Sequence, residues 1–296
     1  DGRFLYPGTG SEAERGKGAA AGTKLNIPLA PGADDHAFAA VWPRVLRHLE
    51  AHAPQFIVLQ CGADSLAGDP LAHLAFSDAV HRQAAADLTA LGYHSAHAGQ
   101  RTYNGVAVLS REPITVLATE LPGFPDEQRR VLAVETAGLT VLDLYVPNGQ
   151  ALGSDKFAYK LRWLEALQQW LESLLHTEKH VVVLGDFNIA PEDRDVHDPA
   201  AWAGHVHVSE PERNAYRRLL QAGLVDVFRQ FEQPEKSYSW WDYRAAGFRR
   251  NAGLRIDLIL ASSALAQQCV AARIDKEPRR AERPSDHTPV LAEFTL

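Results

Sequence analysis

Val181-Val182-Val183-Leu184-Gly185-Asp186-Phe187-Asn188 is the stretch that decides the fold class. Its four leading apolar residues read as a buried strand. Gly185 then lets the backbone turn tightly, and Asp186 and Asn188 follow where the strand ends. Open α/β sheets place their ligands at the carboxyl ends of strands, which makes this segment a candidate active-site edge. The plainer reading is that both polar residues cap a turn, as Asp and Asn often do. A second segment, Arg283-Pro284-Ser285-Asp286-His287-Thr288-Pro289-Val290, favours the functional reading. It sets a carboxylate beside an imidazole just before a C-terminal apolar run.

Composition bounds the rest. A chain of 296 residues is long enough for one large domain or two small ones. Cys61 and Cys269 are too few for a disulfide framework, so a reducing, cytoplasmic compartment is expected. No apolar run approaches the ~18 residues that a membrane span needs, and Asp1-Gly2-Arg3-Phe4 lacks the layout of a signal peptide. The net charge of −7 argues against indiscriminate adhesion to nucleic acid but leaves room for a local basic face. Methionine is absent even at the start, and a fragment of a longer reading frame is the expectation.

Gly8 to Gly22 reads as an exposed loop, and Leu25 to Leu29 as a short strand confined to an edge by Pro28. Asp34 or Asp35 caps a helix over about Ala37–His52, whose apolar stripe is Phe38, Val41, Trp42, Val45, Leu46 and Leu49. Phe56 to Gln60 reads as a buried strand that completes a strand-helix-strand unit, and a second helix follows over Asp78–Leu91. Asn104-Gly105 marks a turn before a strand over Val106–Leu109. Val131–Glu135 and Leu139–Tyr145 read as paired strands about Ala137-Gly138. A long helix spans Asp155–His176, another Glu212–Gln221, and strands close the chain. Short strands interleaved with few helices predict an α/β sandwich: two packed sheets flanked by helices.

Asp257 lies inside the apolar run Leu254 to Leu260, where a lone carboxylate is costly unless paired or coordinating. It pairs either with Arg255 or, on the sharper reading, with His287, which it orients. Asp186, Asn188, Asp257, Asp286 and His287 form an oxygen-rich set that suits Mg²⁺ or Mn²⁺ better than zinc. Such a set activates water and stabilises phosphoryl charge. Around it, Tyr238 to Arg244, Arg249, Arg250, Arg129-Arg130, Lys156, Lys160, Arg162, Arg279-Arg280 and Arg283 supply aromatics and positive charge of the kind that meets nucleic acid. Neighbours in a strand face opposite ways, so of Trp240 and Trp241 one is expected inside and one outside.

Residues from about 91 onward resemble the exonuclease III/AP endonuclease family of the endonuclease/exonuclease/phosphatase superfamily. The blocks that carry the resemblance are Gln100 to Ala107, Leu144 to Gln150, Gly185 to Pro199 (GDFNIAPEDRDVHDP), Trp240 to Asp257 and Pro284 to Pro289. It implies a four-layer α/β sandwich and Mg²⁺-dependent cleavage of phosphodiesters in double-stranded DNA, at abasic sites or 3′ ends, by a monomer. It assigns Asp186 to the attacking water, Asn188 to holding that water and the phosphate, and Asp257 to orienting His287 on the phosphate. Tyr145 lies against the phosphate, Asp286 helps Asp186 and Asn188 hold the metal, and Asn148 with Trp240 or Trp241, Arg249 and Arg250 meets the DNA. The family opens with a strand carrying a catalytic asparagine and continues to a strand ending LQETK, whose glutamate is a metal ligand. Here Leu59-Gln60 is followed by Cys61.

Residues 1–90 resemble instead a piece of the histone deacetylase/acetylpolyamine amidohydrolase fold. Phe4 to Gly10, Leu25 to Gly32 and Gln60 to Leu71 carry that likeness, with Asp64 at the position of one zinc ligand. The Asp-x-His motif and the tyrosine loop of that family are missing, and one carboxylate cannot hold a catalytic zinc. Asp64 and Asp69 then read as turn residues or remnants. The expectation is a chimera: a deacetylase-like unit over 1–90 standing in for the nuclease's first strands, and an exonuclease III-like domain over 91–296. Its function is a phosphodiesterase weakened by loss of the glutamate. A non-catalytic DNA-binding remnant is the second reading, and a zinc amidohydrolase the third.

Overall fold

The computed structural model describes residues 12–13, 15, 22–23, 25–53, 67, 75–100, 104–280 and 285–296. In chain order its regular elements are α1 (Asp35–His52), α2 (Asp78–Ala90), β1 (His94–Gly99), β2 (Gly105–Ser110), β3 (Thr115–Ala118), β4 (Val131–Thr136) and β5 (Leu139–Tyr145). They continue with α3 (Asp155–Thr177), β6 (Val181–Asp186), α4 (Pro199–Trp202), α5 (Glu210–Gln221), β7 (Leu224–Asp226) and β8 (Asp257–Ser262). α6 (Ser263–Ala266), β9 (Cys269–Ile274) and β10 (Val290–Phe294) complete the chain. Two units divide it: residues 1–96 with 108–114 and 280–284, and residues 97–107 with 115–279 and 285–296.

The second unit is built on a six-stranded sheet in the order β3-β4-β5-β6-β8-β7. β4 and β5 pair antiparallel through a two-residue turn at Ala137 and Gly138, with φ of 52° and 76°. Two consecutive left-handed residues give a turn whose twist matches that of the strands it joins. β5 and β6 are parallel, a pairing that needs a long crossover, and α3 supplies it. Ser154 starts that helix by accepting the Phe157 N–H at 3.1 Å on its Oγ. Phe157, Trp163, Leu164, Leu167 and Leu171 lie on its buried face, and the last four pack in one core with Val131, Ala133, Leu142, Leu144, Val181 and Val183. Ala215, Tyr216 and Leu219 of α5 join the same core. β8 pairs antiparallel with β6. β9 and β10 form a separate antiparallel pair, and β1 and β2 a two-stranded sheet of their own. The fold class is the expected one, α/β with mixed sheets flanked by helices.

In the first unit Asp34 caps α1, its Oδ1 accepting from the His36 and Ala37 N–H groups at 3.1 Å. Phe38 stacks on Trp42 at 4.9 Å and meets the edge of Phe76 at 5.7 Å. The Trp42 indole donates to Asp87 Oδ2 of α2 at 2.7 Å. The expected stripe of α1 is half-buried throughout. Leu25 to Leu29 is not a strand but an irregular segment. The expected strand Phe56–Gln60, and Cys61, Asp64 and Asp69, lie outside the described residues.

Candidate active site

Strand register assembles the site. Tyr145 ends β5 opposite Asp186 at the end of β6, and Asp186 in turn lies opposite Asp257 at the start of β8. Three candidate side chains thus share one edge of the sheet. Gly185, with φ of 127°, makes that approach possible, because a Cβ there would stand 2.0 Å from the Leu144 carbonyl oxygen.

Asp186 is held by its neighbour two residues on. Asn188 donates its backbone N–H to Asp186 Oδ1 and its side-chain Nδ2 to Asp186 Oδ2, each at 2.8 Å. The same Nδ2 reaches the Val146 carbonyl at 3.0 Å, and the Asn148 amide donates to Asn188 Oδ1 at 3.3 Å. Asn188 adopts φ of 51° and is buried, a left-handed conformation that Asn tolerates better than most residues. Turn capping and site building are therefore one arrangement here.

His287 Nδ1 lies 2.9 Å from both carboxylate oxygens of Asp257, which leaves Nε2 as the ring's remaining donor. Burial disfavours the imidazolium, but Asp257, then Asp186 and Asp286, outweigh it and hold His287 up at about 10. Burial, reinforced by Asp257, pushes Asp186 up to about 7, against the opposing pull of His287, the Asn188 N–H and Lys160. Burial and then Asp186 also raise the Tyr145 hydroxyl, opposed by Arg130, whose guanidinium lies 4.7 Å over the Tyr145 ring. His207 is pushed down to about 4 by burial and by Lys160. Its Nδ1 stands 2.7 Å from the Asn188 carbonyl, so the neutral ring donates there and turns Nε2 toward the Asn148 amide at 3.5 Å.

Asp186, Asp257 and His287 each offer a ligand atom within 4.8 Å of the others. Two carboxylates crowded together, one with its acidity suppressed by burial, form a place where a divalent cation would relieve repulsion. Asp286 is not in that group; its Oδ2 accepts the Trp240 indole N–H at 2.8 Å.

Several expectations change. Arg255 does not pair with Asp257. It is buried between Asp195 Oδ1 at 2.7 Å and Asp226 Oδ2 at 2.8 Å, which frees Asp257 for His287. Trp241 is fully buried, its indole donating to Asn251 Oδ1 at 3.1 Å, so it has no surface to offer DNA; Trp240 is half-buried. Arg249 and Arg250 are exposed. Lys160 is wholly buried and Arg279 nearly so, so neither belongs to a basic face. His207 and Glu212 are neighbours of the site that sequence reasoning missed, while Arg130 and Lys160, expected among the surrounding cations, lie over Tyr145 and against Glu212 instead. The Ser209-x-x-Glu212 spacing is legible as a helix-starting capping box, but not the second partner of Glu212.

The chain matches the endonuclease/exonuclease/phosphatase family model over residues 36–287. The chain belongs to that family. Exodeoxyribonuclease III of Haemophilus influenzae is 38% identical over 220 residues, covering 69% of this chain and 81% of the relative. A 3′ phosphatase from Neisseria, solved with a product DNA hairpin, superposes with a TM-score of 0.74 at 41% identity, over 87% of this chain and 95% of that one. An AP endonuclease from Archaeoglobus fulgidus gives 0.71 and 35%, over 85% and 93%. The enzyme class is that of the exonuclease III-type nucleases. The family match runs back through most of residues 1–90, and nothing in the comparisons supports the deacetylase resemblance or the fusion built on it. The zinc reading goes with them.

Proposed function

We propose that the chain is a Mg²⁺- or Mn²⁺-dependent DNA phosphodiesterase of the repair type, acting as a monomer on duplex DNA at abasic sites and 3′ ends in the bacterial cytoplasm. The observation that carries this is the row Tyr145–Asp186–Asp257 on one sheet edge, with His287 hydrogen-bonded to Asp257. His287, held protonated, presents its Nε2–H to a non-bridging phosphate oxygen. Tyr145 donates to the same phosphate. Asp186 accepts the proton of the attacking water as its oxygen bonds to phosphorus, and the ester bond breaks to leave a phosphate monoester and an alkoxide that takes a proton from solvent to become the alcohol. Asn188 keeps Asp186 aimed, and Asn148 contacts the DNA beside the break. A divalent cation would be held by Asp186 and Asp257 with help from Asp286 and would supply charge neutralisation at the phosphate.

All of these residues fall within 91–296. With cysteine where the family's metal-binding glutamate is expected, turnover is set below that of relatives retaining it. The test is cleavage of abasic duplex and of 3′-recessed duplex with Mg²⁺. Turnover that Asp186→Ala removes supports the proposal. Salt-dependent binding without turnover on either substrate would replace it with a DNA-binding remnant.

A further inference from the structure

Beneath the two asparagines lies a buried ion pair that the hydrolytic roles do not use. Lys160 sits on the inner face of α3 and Glu212 in the first turn of α5, both without exposed side-chain surface. The Lys160 ammonium donates to Glu212 Oε1, to the Asn188 carbonyl at 2.8 Å and to the Asn148 carbonyl at 3.2 Å. Its three protons therefore have three acceptors. Glu212 is equally committed. Oε1 also accepts the His207 N–H at 3.0 Å, and Oε2 accepts Ser209 N–H at 3.2 Å and Ser209 Oγ–H at 2.5 Å.

One pair thus ties together the segment after β5, the segment after β6 and the entry to α5. Stability alone does not call for it, because a buried ion pair is often no better than apolar groups of the same volume. Geometry does. Asn188 stands at φ 51°. Left-handed backbone persists only where its surroundings over-determine it, and charge-assisted hydrogen bonds are roughly twice as strong as neutral ones.

We propose that Lys160 and Glu212 are positioning residues of this site: the ammonium draws the Asn148 and Asn188 carbonyls to one point, so that their side-chain amides face each other and Asp186. The kinetic part of the proposal rests on the hydrolysis proposed above; the structural part does not. The test compares Lys160→Met, which keeps the length and removes the donors, with Glu212→Gln and with Leu171→Ala. The last removes buried volume on the same helix, away from the site. Each variant is crystallised and assayed on duplex DNA with Mg²⁺.

In K160M the 3.3 Å contact between the asparagines is lost. At the same time kcat falls by about 10–100-fold while KM stays within about threefold. E212Q removes the charge and keeps one acceptor oxygen, for the Ser209 side or for the His207 and Lys160 side but not for both, and falls by about 3–10-fold. L171A, at a comparable loss of Tm, keeps kcat within about twofold. Asparagines in place with kcat unchanged in K160M, or in E212Q if K160M does not fold, overturn the proposal; so does a loss no greater than that of L171A. A wild-type chain without turnover overturns the hydrolysis instead, and the crystal structures still decide the positioning.

Discussion

At Gly185 the backbone has no room for a side chain. The missing Cβ would collide with a backbone oxygen of the neighbouring strand, and the residue's φ lies in the left-handed half of the map, so Gly185→Ala can be accommodated only by parting β5 from β6. The expected cost is at least about 3 kcal/mol, read as a lower urea midpoint or as failure to fold, and full stability would show that the strands yield easily. Asp186 behaves differently. Asp186→Asn leaves an acceptor for the Asn188 N–H and removes a carboxyl whose ionisation burial already opposes. The substitution should cut turnover by at least about 10³-fold with Tm unchanged or higher. A Tm collapse would mean that the carboxylate serves the fold first and the chemistry second.

Between residues and the whole fold, legibility depended on element length. β5 and β6 fall where the apolar runs of the sequence place them, and α3 ends one residue beyond expectation, because many residues there repeat one signal. β3, β7, α4 and α6 span three or four residues each, too few to show a period. Asp186, Asn188, Asp257 and His287 were readable because polar residues at strand ends stand out against apolar runs. Lys160 was not, although it falls on the stripe of Phe157, Leu164, Leu167 and Leu171; a charged residue on that face is assigned outward until a partner is known, and Glu212 lies far off in sequence. Asp143 makes the same point within β5. Its Oδ2 accepts the Ala107 N–H of β2 at 3.1 Å, and burial pushes its carboxyl up to about 7 from the ordinary 3.8. The folded chain therefore binds this proton more tightly than the unfolded one. The stability it contributes is complete below about pH 4 and is lost as pH rises through about 7. Asp143→Asn keeps the acceptor and removes the titration. Denaturation at pH 5 and pH 8 should then show a pH difference smaller than wild type's by about 2 kcal/mol, and an unaltered difference would place the carboxyl in water.

Over the whole molecule the formal charge is −7, so binding a polyanion depends on where the cations lie rather than on how many there are. Much of the apparent basic face is spent internally. Arg255 and Lys160 are buried in ion pairs, Arg244 is held by Asp242 at 2.7 Å, and Arg279 donates to the Trp241 carbonyl at 3.2 Å. Arg249 and Arg250 remain exposed on the segment that follows Trp240 and Trp241. Each arginine that neutralises a phosphate on binding releases counterions and adds close to one unit to the slope of log K against log salt. The double variant Arg249→Ala/Arg250→Ala should therefore weaken binding to duplex DNA about equally for all sequences and flatten that slope by about 1–2 units. Its Tm should hold, since neither side chain is part of the core. Fluorescence anisotropy across a salt series, with Ca²⁺ in place of Mg²⁺ to prevent cleavage, reads both quantities. An unchanged slope would move the DNA-binding face away from this segment, to the exposed Lys156 and Arg162 of α3.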